Sequence, residues 1–129
     1  MEQLKQTLLI VDDEKANVQF LNDKFKSSYN VKTANNGKTA LTILSKFEID
    51  LVLLDIVMPQ MDGYETLEKI RKDLGLITTP VIFLTAKDDA ASLRKAFELG
   101  ANDYITKPFE NHELMLRVNN QLKIHELNK

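Results

Sequence analysis

The sequence predicts an α/β domain built from five consecutive βα units around a parallel sheet. Three observations lead there. Short apolar runs alternate with segments whose apolar residues recur at helical spacing. The runs after the first are mostly continuous rather than alternating, so strands two to five read as buried on both faces. No Pro/Gly/Ser-rich linker, repeat or low-complexity segment divides the 129 residues, so residues 1–129 read as one domain. Strands that alternate with helices form a parallel sheet covered on both sides by right-handed crossovers.

The elements follow in order. Leu8 to Val11 is a buried strand. Val18, Leu21 and Phe25 then recur at helical spacing. Tyr29 to Ala34 is a short strand with β-branched residues, and Asn36-Gly37 marks a turn. Ala40, Leu41, Leu44 and Phe47 mark the second helix. Ile49 to Leu54 is an apolar strand interrupted only by Asp50. After Asp62-Gly63 comes a third helix, with Leu67, Ile70 and Leu74 on one face. Pro80 opens the strand Val81 to Thr85. Leu93, Ala96 and Phe97 line a fourth helix, which Gly100 ends, as glycine often does. Tyr104 to Thr106 is the fifth strand. The last helix starts near Glu110 and turns Met115, Val118 and Leu122 inward. Its pattern continues through Lys123 to Lys129, where Leu116, Ile124 and Leu127 fall outside the inward stripe. They read as the start of a helical linker, as a dimer contact, or as scattered exposed apolar residues.

Composition removes several function classes. Hydrophobic residues make up 43% of the chain, enough for a packed core. With 17 basic and 19 acidic residues the net charge is −2, so no basic field points to nucleic acid. The absence of cysteine excludes disulfides and thiolate chemistry. Residues 1–7 do not form a signal peptide, and no apolar run approaches membrane-spanning length. A cytoplasmic protein without membrane contact is the expectation.

In doubly wound sheets, ligands sit at the carboxyl ends of the strands. That end would gather Asp12 and Asp13 after strand one, Asp55 after strand three, Thr85 at the end of strand four and Lys107 after strand five. Three carboxylates packed together raise one another's pKa unless a cation neutralises them. Hard oxygen ligands with room for water suit Mg²⁺, with Mn²⁺ as an alternative. Asp55, already ionised, would be a nucleophile needing no general base. Lys107 would supply positive charge and Thr85 a hydroxyl to a phosphoryl group. Taken singly, each has a plainer reading: Asp12-Asp13 as a turn and helix cap, Thr85 as a strand residue, Lys107 as a solvated charge. Asp62-Gly63 reads as turn and helix-start chemistry alone. His112 and His125 read as surface residues away from the site, so a donor histidine would have to come from a partner.

Asp12-Asp13, Asp55 with Met58-Pro59 and Met61-Asp62-Gly63, Thr85-Ala86, and Lys107-Pro108-Phe109 resemble the signature of response-regulator receiver domains of two-component signalling. The resemblance runs from about Leu8 to Leu122. It implies a flavodoxin-like (βα)5 fold with strand order 2-1-3-4-5. It implies Asp55 as phosphoacceptor in a phosphorelay. Asp13 would be a direct metal ligand, Asp12 would act largely through water, and the Val57 backbone carbonyl would be a further ligand. Thr85 and Lys107 would bind the phosphoryl group, with small Ala86 leaving access. Tyr104 holds the position of an aromatic switch, and Lys107-Pro108 that of a cis peptide. Val57 and Lys87 occupy positions that tune phosphoryl lifetime. The implied partners are a sensor histidine kinase or a histidine phosphotransfer protein, together with an output domain or protein.

The resemblance leaves open a dimer through helix four, strand five and helix five. Asp103 and Arg117 match one salt-bridge pair of that face. Leu93, however, stands where DNA-binding members carry a basic residue opposite Glu113. Two other classes fit the sequence less well. An aspartyl-phosphate phosphatase would carry a second acid where Val57 stands. A pseudo-receiver would lack an acid, the threonine or the lysine.

Overall fold

The computed structural model describes residues 5–86 and 89–128. Five strands, β1 (Thr7–Val11), β2 (Asn30–Ala34), β3 (Leu51–Asp55), β4 (Val81–Thr85) and β5 (Asp103–Thr106), alternate with five helices. These are α1 (Lys15–Phe25), α2 (Gly37–Lys46), α3 (Gly63–Lys72), α4 (Ala90–Glu98) and α5 (Asn111–Leu127). All neighbouring strands pair in parallel, in the order β2-β1-β3-β4-β5. The fold is the flavodoxin-like one expected.

Side chains alternate across a strand, so each central strand feeds two cores. Leu9, Val11, Val52, Leu54, Val81 and Phe83 pack with residues of α2, α3 and α4, including Leu44, Leu67 and Ala96. Leu8, Ile10, Leu51, Leu53, Ile82 and Leu84 face the other way, onto Leu21 and Phe25 of α1 and Leu114, Val118 and Leu122 of α5. Double coverage is why β1, β3 and β4 read as unbroken apolar runs.

Several expectations need correcting. Strands two to five are not all buried on both faces. β2 and β5 are the sheet edges, and within β2 only Ala34 is buried, with Asn30 and Thr33 exposed. The inward residue at the start of α5 is Leu114 rather than Met115, which is only partly buried. Phe97 is 46% exposed, and Phe47 lies just past the end of α2, 50% exposed. His112 is exposed as expected, but His125 is not a surface residue. Its side chain is 11% exposed, with Nε2 3.5 Å from Asp50 Oδ1. Asp50 interrupts the apolar run for a structural reason: its Oδ2 accepts the Thr7 N–H at 2.8 Å, which ties β3 to the start of β1.

The amino end of the sheet is also stapled by Arg71. Its Nη1 donates to the carbonyls of Leu76 and Thr79 at 2.7 and 2.6 Å. Its Nη2 donates to the Gly100 carbonyl at 2.7 Å and to Asn102 Oδ1 at 3.0 Å. Gly100 follows α4 with φ 104°, a conformation that favours glycine.

Candidate functional site

The carboxyl end of the sheet brings the acids together. Asp12 follows β1, and its backbone N–H bonds to the Ala34 carbonyl of β2 at 3.1 Å. Asp55 is the last residue of β3. One carboxylate oxygen from each of Asp12, Asp13 and Asp55 lies within 4.8 Å of the others. Asp12 is fully buried and Asp55 is 4% exposed, whereas Asp13 is open to solvent.

Lys107 reaches into this cluster from the end of β5. Its Nζ lies 3.2 Å from Asp12 Oδ2 and 3.3 Å from Asp55 Oδ1. Its backbone N–H donates to the Thr85 carbonyl at 2.8 Å, which fixes where the lysine leaves the sheet. The Lys107-Pro108 peptide bond is cis. Thr85 ends β4, almost fully buried, with Ala86 exposed beside it. Within the sheet, Asp55 pairs with Leu84, and Thr85 pairs with Thr106.

Burial, and next the Asp12 carboxylate, push the Asp55 carboxyl from its ordinary 3.8 up to about 6, against the pull of Lys107. Burial alone would lower the Lys107 pKa. The Asp55 and Asp12 carboxylates outweigh it, and the ammonium is held above its ordinary value. The cluster therefore carries more negative charge than one lysine offsets. Three hard carboxylates around such a point fit a divalent cation that keeps part of its water shell.

The loop after Asp55 is tight. The Met61 N–H bonds to the Pro59 carbonyl at 2.8 Å, and Gln60 takes a left-handed conformation with φ 69°. Asp62 caps α3 by accepting the Glu65 N–H at 2.9 Å. Gly63 does more than start the helix. Its N–H donates to the Ile56 carbonyl at 2.7 Å, and a Cβ there would collide with the Asp55 carbonyl oxygen. The glycine lets α3 rest directly on the backbone that carries Asp55.

The remaining sequence candidates lie around this centre. The Val57 side chain is 58% exposed. Tyr104 belongs to the α4–β5–α5 face. Its ring meets Phe97 edge-on at 6.0 Å, and the Arg117 guanidinium lies 5.7 Å from the ring centre. Arg117 pairs with Asp103 at 2.7 Å and Glu113 at 3.2 Å within the same chain. Lys87 lies outside the described residues. Sequence reasoning missed Asn17, on the first turn of α1, whose Nδ2 donates to Asp12 Oδ2 at 3.2 Å.

The family model for the response regulator receiver domain matches residues 8–119. The chain belongs to this family. It is 46% identical over 124 residues to a Vibrio cholerae protein named probable cyclic di-GMP phosphodiesterase, covering 95% of this chain and 28% of that protein. It is 47% identical over 116 residues to response regulator SaeR of Staphylococcus epidermidis, covering 89% of this chain and 49% of SaeR. Among solved structures, a CheY-like receiver domain protein from Methanospirillum hungatei superposes with a TM-score of 0.89 at 26% identity, over 98% of this chain and 100% of that one. The receiver domain thus spans half or less of the length of these curated relatives. Its acidic cluster is of the kind at which receiver domains hold Mg²⁺, and the family implies a histidine kinase as partner. Among the described residues, no helix is long and apolar enough to cross a membrane.

Proposed function

We propose that this receiver domain accepts a phosphoryl group on Asp55 from the phosphohistidine of a sensor histidine kinase or a histidine phosphotransfer protein. One observation carries the reading: Asp55, Asp12 and Asp13 converge, with the Lys107 ammonium between the first two. An Asp55 oxygen attacks phosphorus as the bond to the donor imidazole breaks, and the imidazole nitrogen keeps that electron pair. Asp12, Asp13, Asp55 and the Val57 carbonyl would hold Mg²⁺, or Mn²⁺ in its place. Such an ion would supply positive charge to offset the clustered carboxylates and the phosphoryl oxygens. Lys107 and the Thr85 hydroxyl hold the transferred group, and the small Ala86 leaves the approach open. Movement of Thr85 toward the phosphoryl group frees space for the Tyr104 ring to turn inward, which alters the α4–β5–α5 face for an output domain or protein.

The apolar Val57 stands where a phosphatase of aspartyl-phosphate type carries a second acid. The acylphosphate is therefore stored as a signal rather than turned over, with Val57 tuning its lifetime. Incubation with acetyl phosphate and Mg²⁺ tests the proposal. The wild-type chain gains the mass of one phosphoryl group, chelation of the metal abolishes the gain, and Asp55→Asn shows none. Undiminished gain in Asp55→Asn refutes it.

A further inference from the structure

Asn17 lies outside the motif set, yet it touches the acidic site. Its Nδ2 donates to Asp12 Oδ2 at 3.2 Å, and Lys107 Nζ donates to the same oxygen, also at 3.2 Å. The other oxygen, Oδ1, accepts the Glu14 backbone N–H at 2.9 Å. An ionised carboxylate can only accept, so Asn17 presents its amide NH₂ here. Asp12 is fully buried, and a buried carboxylate oxygen left without a donor is costly.

Lys107 is committed in two directions, since its Nζ also lies 3.3 Å from Asp55 Oδ1. A phosphoryl group on Asp55 brings new oxygens that compete with Asp12 for the three N–H donors of the ammonium. That competition weakens one of the two side-chain donors to Asp12 Oδ2. We propose that Asn17 is a positioning residue for phosphoryl loading: its amide keeps Asp12 Oδ2 hydrogen-bonded while the phosphoryl group competes for Lys107. The inference rests on Asp55 being the phosphoacceptor. Asn17 supports the charge rather than the helix. It sits within α1, where alanine is the better helix former, so Asn17→Ala leaves the fold intact.

The test follows loading by mass spectrometry, with acetyl phosphate as donor and saturating Mg²⁺. As the bond to Asp55 forms, the bond to acetate breaks and acetate leaves. Asn17→Ala is expected to load about tenfold more slowly, the worth of one hydrogen bond to a charged group. The rate deficit is expected to persist at saturating Mg²⁺, because filling the metal site does not restore the Asn17 donor to Asp12 Oδ2. Asn17→Gln, which keeps the amide donor, recovers the rate to within about threefold of wild type. A loss below about threefold in Asn17→Ala, an equal loss in Asn17→Gln, or a loss removed by raising Mg²⁺ overturns the role of Asn17. If the wild-type chain takes up no phosphoryl group, the phosphoacceptor reading itself fails. If it loads and Asn17→Ala loads as fast, only the role of Asn17 fails.

Discussion

The Asp55 carboxylate should weaken the metal-free fold at neutral pH, and Asp55→Asn should remove that weakness. Burial and the Asp12 charge raise the Asp55 pKa from 3.8 to about 6, so the folded protein holds this proton more tightly than the unfolded chain does. The sign follows from linkage. The stabilising contribution is complete below about pH 3.8, is lost as pH rises through about 6, and leaves a constant deficit above that. The deficit amounts to about 3 kcal/mol, or roughly 10 °C in Tm for a domain of this size. Asparagine keeps the shape without the charge and resembles the protonated acid. Urea unfolding of both proteins in chelator, between pH 4 and pH 7.5, isolates Asp55 and its coupling to Asp12 and Lys107, because the distant carboxylates cancel in the difference. Asp55→Asn should match wild type near pH 4 and exceed it by about 3 kcal/mol at pH 7. Mg²⁺ should close most of the gap by stabilising the wild type alone. A pH-independent difference, or a wild type more stable than Asp55→Asn at pH 7, would refute the electrostatic reasoning.

Two further outcomes follow from the ends of the sheet. Arg71→Ala should cost about 3 kcal/mol in denaturant unfolding, because three backbone carbonyls and the Asn102 side chain lose a shared charged donor. Arg71→Lys should recover less than half of this, since one ammonium cannot span the same partners; a loss below about 1 kcal/mol in the alanine variant would contradict the staple. Gly63→Ala should destabilise the domain by about 2 kcal/mol despite alanine's better helix propensity, because the added Cβ meets backbone rather than a movable side chain. A gain in urea midpoint for Gly63→Ala would show that the contact yields.

Much of the fold was legible because doubly covered strands cannot hide their composition. Leu8–Val11, between Thr7 and Asp12, and Val81–Leu84, between Pro80 and Thr85, are apolar on both faces, so their extent and order could be read directly. β2 was misjudged because an edge strand has one partner and needs less covering, which leaves Asn30 and Thr33 free to be polar. In α5, Leu114 and Met115 are adjacent apolar residues, and spacing alone does not say which of two neighbours meets the core.

The acidic centre was legible because its residues end strands, and the strand ends of a parallel sheet converge. Asn17 was not, since it contacts the site from a helix and through another side chain. The available signal was its offset of four residues from Asp13, on the first turn after the acidic pair. His125 looked like one more polar residue in a polar helix. Its Nε2 lies 3.5 Å from Asp50 Oδ1, and the clue was an acid interrupting an otherwise apolar strand.

Gly63 has a consequence beyond fitting. Where two elements meet through side chains, rotamers can turn and absorb a small displacement before it travels further. At Gly63 no side chain intervenes, and α3 meets the Asp55 carbonyl backbone to backbone. That joint has no slack. Any shift of the main chain at Asp55 must move the start of α3 by a similar amount, so the helix acts as a pointer whose pivot lies at the acid itself.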